Sequence, residues 1–137
     1  MTFSWKLFIV VLVFMLAVDF VWLSFVANRF YVEQFGPIGR MVDGKFQVLY
    51  WAGAVVYLVM AAGLVFFALP RVGKSWLEAA LVGAAYGFLV YAVYDFTNLA
   101  TLNHWPLALL AVDVSWGTTL GALSTMAAKA GRDHLNL

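Results

Sequence analysis

Four long apolar runs occupy most of this chain of 137 residues and limit what it can fold into. Crossing a hydrocarbon core of about 30 Å takes roughly 20 helical residues. The runs cover approximately residues 5–27, 48–69, 77–100 and 106–128. Each run is continuous and rich in Ala and Leu, without the short alternating segments of a membrane barrel. The sequence therefore predicts four transmembrane helices.

The composition argues against a water-soluble domain. Hydrophobic residues make up 65% of the chain and charged residues 11%, which is too few charges to cover a soluble surface. A net charge of +1 without a basic run argues against nucleic acid as a partner. The absence of cysteine excludes disulfides and cysteine metal sites. We predict an all-α integral membrane protein, a four-helix bundle forming a single domain over residues 1–137.

The connections between the runs contain Gly36-Pro37, Pro70 and Trp105-Pro106, which are typical turn signals. Residues 28–47 form the only long connection, and we expect it to fold over one mouth of the bundle. Four tryptophans lie at predicted helix ends, where indole rings anchor helices at the level of the lipid headgroups. These are Trp5, Trp51, Trp76 and Trp105.

The distribution of basic residues predicts the orientation. Four spans place both termini on one side of the membrane. That side holds five basic residues, and the long connection holds three: Lys6, Arg71, Lys74, Lys129 and Arg132 against Arg29, Arg40 and Lys45. The positive-inside rule then places both termini in the cytoplasm. The first run is too long for a cleaved signal core and lacks an A-x-A site, which favours a retained anchor.

Three aspartates lie inside the apolar runs. An ionised carboxylate near the bilayer centre costs at least about 2.5–3.5 kcal/mol on insertion scales, so such residues normally face the bundle interior and find partners. From the predicted helix ends, Asp19, Asp95 and Asp113 lie roughly 12, 8 and 11 Å below the same membrane face. The sequence therefore predicts that the three carboxylates share one level, whichever way the protein is oriented.

Two of these aspartates lie in a short internal sequence repeat. The first run contains LAVDFVW at residues 16–22, and the fourth contains LAVDVSW at 110–116, with five of seven positions identical. Each aspartate is followed by a tryptophan three positions later, on the same helical face. Glycines at four-residue spacing, Gly83/Gly87 and Gly117/Gly121, favour close packing within the chain over dimerisation.

The predicted ligand-binding residues are the three aspartates and the polar or aromatic side chains near them in sequence. They are Asp19, Trp22, Tyr94, Asp95, Thr97, Asn98, Asp113, Ser115 and Trp116. Two interpretations remain open. The cluster is either a polar pocket for a cation, a proton or a lipid headgroup, or a hydrogen-bonded knot that fixes helix packing.

Several segments resemble the bacterial membrane family DUF2177. They are VDFVWL at 18–23, FGP at 35–37, YDFTNLAT at 94–101 followed by Trp105-Pro106, and VDVSWGT at 112–118. The resemblance covers nearly the whole chain. It implies a four-helix protein of the bacterial inner membrane and makes the Asp, Asn and Thr cluster a family signature. It implies no established activity, although relatives encoded beside lipid-modifying enzymes point toward lipid chemistry.

We therefore expect a lipid-binding, multi-pass protein whose pocket lies in the outer half of the bundle and takes a polar or cationic group of a lipid-like molecule. It would serve as an accessory subunit of a lipid-modifying or other membrane pathway. A small proton- or cation-coupled transporter and a purely structural scaffold are the alternatives. The sequence contains no recognised set of catalytic residues, so an enzymatic role has little support, and we predict no cofactor and no metal site. Membrane lipids are the expected partners, and a homodimer or a second membrane protein remains open.

Overall fold

The computed structural model describes residues 2–137 and is almost entirely helical. Within these residues, four helical segments are long and apolar enough to cross a membrane: Trp5–Val26, Tyr50–Arg71, Trp76–Thr101 and Leu107–His134. The prediction of an all-α membrane protein is confirmed. The spans begin and end close to the boundaries expected from the sequence, except at the end of the last one.

Two of the spans change their helical geometry before they end. Helix α1 covers Trp5–Val21 and continues as a π-helical turn over Trp22–Val26. Helix α3 covers Tyr50–Gly63 and continues through a π-helical turn at Leu64–Ala68 into a 3-10 turn at Leu69–Arg71. π-Helical turns inside longer helices are frequent at functional sites, and the first of these turns begins at a predicted site residue.

The long connection at residues 28–47 contains regular structure. Helix α2 covers Asn28–Phe35, and strands β1, Met41–Val42, and β2, Lys45–Phe46, pair as an antiparallel hairpin. The hairpin turn is Asp43-Gly44, and both residues have positive φ angles of 49° and 74°. An Asp-Gly pair is a strong hairpin signal because both residues tolerate this backbone conformation. We call residues 28–46 the cap.

Helices α4, Trp76–Thr101, and α5, Leu107–His134, form the closest helix pair. Their glycines meet backbone to backbone. A Cβ added to Gly87 would overlap the carbonyl oxygen of Gly117, and one added to Gly121 would overlap that of Gly83. The small-residue stripes therefore pack within the chain, as small residues do between membrane helices.

Helix α5 extends six residues beyond the predicted end at 128, because polar contacts hold its last turns. Lys129 is buried, forms an ion pair with Asp133 and lies 4.6 Å from the ring centroid of Trp76. Arg132 donates hydrogen bonds of 2.7 Å to the carbonyl oxygens of Val72 and Gly73. The α3–α4 connection is thereby attached to the end of α5.

The apolar core has two parts. The larger part lies among the spans, where Val11 of α1, Leu64 after α3 and Leu120 of α5 are almost fully buried. The smaller part lies at the opposite end from Arg132 and contains Ala27, Tyr31, Trp105 and Leu109. This second cluster fixes α2 against the start of α5, so the cap covers that mouth of the bundle.

Candidate functional site

The three intramembrane aspartates are all buried. Asp19 lies near the end of α1, Asp95 in the last third of α4, and Asp113 in the first third of α5. Their exposed fractions are 5%, 0% and 8%. All three thus face the interior of the protein, where each carboxylate requires polar partners.

Asp19 has two such partners from other helices. The hydroxyl of Tyr57, on α3, donates to Oδ2 of Asp19. The indole Nε1 of Trp116, on α5, donates to Oδ1 at 2.8 Å. Each oxygen of this carboxylate therefore accepts a hydrogen bond, and the two bonds join α1, α3 and α5.

Asp113 is bound by the cap. The hydroxyl of Tyr31, on α2, donates to Oδ1 of Asp113 at 2.7 Å and accepts a long bond of 3.4 Å from Trp22 Nε1. Burial, followed by the adjacent Asp113 carboxylate, raises the pKa of Tyr31 far above its ordinary value. Because the phenol stays protonated, it remains a donor to Asp113 at neutral pH.

Asp95 is different, because neither of its buried carboxylate oxygens has a hydrogen-bond partner. The side chain lies beside the Asp113 carboxylate and the indole of Trp105. Trp105 is itself buried, and its Nε1 also has no partner. We call Asp95, Asp113 and Trp105 the Asp95 corner. It combines unpaired acceptors with an unpaired donor in the interior of the protein.

Further aromatic rings pack against Trp105 and Tyr31 beside this corner. Trp105 contacts Tyr94 and Phe35 edge to face, at centroid distances of 5.8 Å and 5.4 Å. Phe35 stacks on Tyr31 in turn, with the centroids 6.2 Å apart. Aromatic faces next to carboxylates are a favourable environment for an organic cation.

The remaining predicted residues fall into two groups. Trp22 and Trp116 belong to the hydrogen-bond network around Asp19 and Asp113. Asn98 is half-buried one turn beyond Asp95. Thr97 and Ser115 are exposed on the outside of their helices. The Ser115 hydroxyl donates to the carbonyl oxygen of Ala111 at 2.7 Å, as Ser commonly does within a helix. The structure therefore brings the aspartates and tryptophans together, whereas the Thr97 and Ser115 hydroxyls have no hydrogen bond to any of the three aspartates.

Two open grooves lie on either side of the stacked Trp22 and Trp116 rings. The first, of about 330 Å³, is lined by apolar residues of α1 and by both tryptophans. The second, of about 560 Å³, is lined by both tryptophans and by α5 residues that include Ser115 and Thr119. Their walls are mainly apolar, which suits hydrocarbon chains better than polar solutes.

Among residues 2–137, no group of three or more His, Cys, Asp or Glu side chains is placed to hold a metal ion. His104 is exposed in the α4–α5 connection.

A protein-family model described as "Predicted membrane protein (DUF2177)" matches residues 4–130 of the chain. The chain belongs to the DUF2177 family. The matched residues include the first three spans, most of α5, the cap and the Asp95 corner. Searches of curated proteins and of solved structures gave no significant match.

Three residues of the network in this DUF2177 protein were absent from the predicted site. Tyr57 lies in an apolar run without charged residues, and Tyr31 lies in the long connection between Arg29 and Glu33, so neither was marked as a partner of an intramembrane aspartate. Trp105 was expected to be a headgroup anchor, but that expectation was wrong because its exposed fraction is 6%, whereas those of Trp5 and Trp51 are 70% and 72%. The signal available in the sequence was the position of Trp105 between Asp95 and Asp113.

Proposed function

We propose that this protein binds a lipid-like molecule and that the Asp95 corner receives its polar or cationic group. One observation carries the proposal: the carboxylate of Asp95 is fully buried, and neither of its oxygens has a hydrogen-bond partner. A buried carboxyl group without hydrogen-bond partners is unfavourable by about 1–3 kcal/mol. A ligand that supplies positive charge and N–H or O–H donors would offset this free energy.

The contrast with Asp19 supports a binding role for Asp95. Asp19 accepts one hydrogen bond on each oxygen, from Tyr57 and Trp116, so packing alone accounts for its presence. Neither oxygen of Asp95 accepts a hydrogen bond of that quality, although the Asp113 carboxylate and the Trp105 indole lie beside it. A carboxylate that only fixed helix packing would be expected to contact a donor from another helix.

The surroundings of the corner favour an amphiphilic ligand. Tyr94, Trp105 and Phe35 provide aromatic surface next to the carboxylates. The two apolar grooves beside Trp22 and Trp116 are of a size that accommodates acyl chains. A lipid bound in this way would place its chains along α1 and α5 and its headgroup beneath the cap.

We further propose that the protein is an accessory subunit of a lipid-modifying or other membrane pathway. Four spans that enclose one buried site leave little room for a separate catalytic centre. We place the protein in the bacterial inner membrane with both termini in the cytoplasm, from the distribution of its basic residues. A topology reporter fused after Leu137 tests this orientation, and a periplasmic signal would reverse it.

Native mass spectrometry of the protein, purified in a mild detergent that retains lipids, tests the binding role. The wild type is compared with Asp95→Asn and Asp113→Asn, and Asp19→Asn serves as the matched control. We expect a bound species that is lost in the two corner variants and kept in the control. Identical spectra for all four proteins would contradict lipid binding at this site and leave the aspartates with a structural role.

A second candidate is a small proton- or cation-coupled transporter. The specific observation in its favour is the polar chain from Trp22 through Tyr31 and Asp113 to Asp95, which links the cap to the interior. Proteoliposomes containing a pH-sensitive dye test it. Ion-dependent flux that disappears in Asp95→Asn would support transport, and the absence of flux in the wild type would exclude it.

A further inference from the structure

We infer that the group bound at the Asp95 corner is a primary ammonium with an oxygen atom nearby, as in an ethanolamine headgroup, and that it enters beneath the cap. This inference rests on the proposed function and specifies the chemical class of the ligand.

The unpaired acceptors require N–H or O–H donors. Oδ1 and Oδ2 of Asp95 are both buried without a partner, and the Asp113 carboxylate lies beside them. A primary ammonium carries three N–H donors and a positive charge, so it can donate hydrogen bonds to Asp95 and Asp113 at the same time. A quaternary ammonium carries the same charge but no N–H group, and it would leave the Asp95 oxygens unpaired at a cost in affinity.

The unpaired donor indicates a second feature of the ligand. Trp105 Nε1 is buried without an acceptor although it lies close to Asp95. An indole N–H can only donate. A ligand whose ammonium occupies the Asp95 oxygens satisfies this N–H with an adjacent hydroxyl or phosphate oxygen. An amine linked through two carbons to an oxygen has this arrangement of groups.

The direction of entry follows from what covers the corner. On the cap side, Phe35 of α2 contacts the Trp105 ring, and Tyr31 donates to Asp113. On the other side, α4 and α5 meet backbone to backbone at Gly87 and Gly117, which closes the space between these two helices at that level. Because α2 is joined to α1 at Ala27, where the backbone leaves helical geometry, α2 is the element that can move aside.

The experiment uses the full-length protein in detergent, exchanged in parallel with two lipids that have identical acyl chains. One lipid carries an ethanolamine headgroup, the other carries choline, and native mass spectrometry measures their relative retention. We expect the ethanolamine lipid to be retained by about tenfold or more over the choline lipid. A third arm adds free ethanolamine, and displacement of the bound lipid would show that the corner also takes the soluble amine.

Variants separate this inference from the proposed function. Trp105→Phe keeps the aromatic ring and removes the donor, so it should reduce the preference for ethanolamine, whereas Trp51→Phe, at an exposed position, should not. Equal retention of the two lipids by the wild type, lost in Asp95→Asn, would overturn the inference and leave the proposed function intact. Equal lipid retention by the wild type and Asp95→Asn would overturn both the inference and the proposed function. If Trp105→Phe fails to fold, the relative retention of the two lipids by the wild type still tests the preference for a primary ammonium.

Discussion

The indole rings of Trp22 and Trp116 stack face to face, with centroids 4.3 Å apart and planes 5° apart. They occupy equivalent positions in the two repeated segments, residues 16–22 and 110–116, each three residues after an aspartate. Trp116 donates to Asp19, the aspartate of the other segment, and Trp22 reaches Asp113 through the hydroxyl of Tyr31. The repeated segment thus corresponds to a reciprocal arrangement in the fold, in which each tryptophan is linked by hydrogen bonds to the aspartate of the other segment.

The two tryptophans should differ in their effect on stability. Trp116→Phe removes a 2.8 Å hydrogen bond to a buried carboxylate and should lower the free energy of unfolding by about 1–2 kcal/mol. Trp22→Phe removes only a 3.4 Å bond to a hydroxyl and should have the smaller effect. Thermal unfolding in detergent, followed by circular dichroism, measures both. A larger loss for Trp22→Phe would contradict the assigned partners.

Tyr31 should control how firmly the cap covers the corner. Because the chain has no cysteine, Leu109→Cys places a single thiol in the buried cluster under α2. Adding Tyr31→Phe removes the bond to Asp113 and should increase the rate of labelling by a membrane-impermeant maleimide. The matched control is Tyr50→Phe, at a position that is 85% exposed. Equal labelling rates in both double variants would show that Tyr31 does not hold the cap.

The glycine contacts between α4 and α5 should tolerate no side chain. Gly87→Ala introduces a Cβ that overlaps the backbone of Gly117, so it should lower the free energy of unfolding by about 1–3 kcal/mol or more. Gly53→Ala, inside α3 with no atom within 4 Å of the added Cβ, should instead raise it by up to about 1 kcal/mol. Unfolding in mixed micelles measures both. Similar values for the two variants would refute the backbone-to-backbone packing.

Arg132 should keep the α3–α4 connection ordered. Arg132→Gln removes two hydrogen bonds to carbonyl oxygens, so amide exchange at residues 72–75 should become faster. Arg29→Gln is the control, because the Arg29 pair with Glu33 is solvent-exposed and contributes little. Hydrogen–deuterium exchange with peptide-level mass spectrometry gives the rates. Unchanged exchange in Arg132→Gln would mean that other contacts hold the connection.

Much of the fold could be predicted because the bilayer imposes strict requirements. Four runs of sufficient length indicate four spans, and charged groups inside them must face the protein interior. Helix α5 extends further than expected because its polar end is held by Lys129, Asp133 and Arg132. The hairpin in the cap was also missed, although Asp43-Gly44 marks its turn.

The site could be predicted only in part, because its donors come from distant positions. Tyr31 and Asp113 are 82 residues apart, and Tyr57 and Asp19 are 38 apart. Tyr57 lies in an apolar run and Tyr31 in the long connection, and nothing local marked either one as a partner of a distant aspartate. The lack of partners for Asp95 is likewise a property of three-dimensional packing, which a sequence pattern does not reveal.

The stability of the lipid-free protein distinguishes a binding role of Asp95 from a role in helix packing. If Asp95 is retained for binding, its unpaired carboxylate destabilises the empty protein. Asp95→Asn should then raise the free energy of unfolding by about 1–3 kcal/mol while bound lipid is lost. Asp19→Asn, which disturbs a carboxylate with two partners, should lower it. A loss of stability in Asp95→Asn with unchanged lipid retention would contradict a binding role and show that Asp95 fixes helix packing.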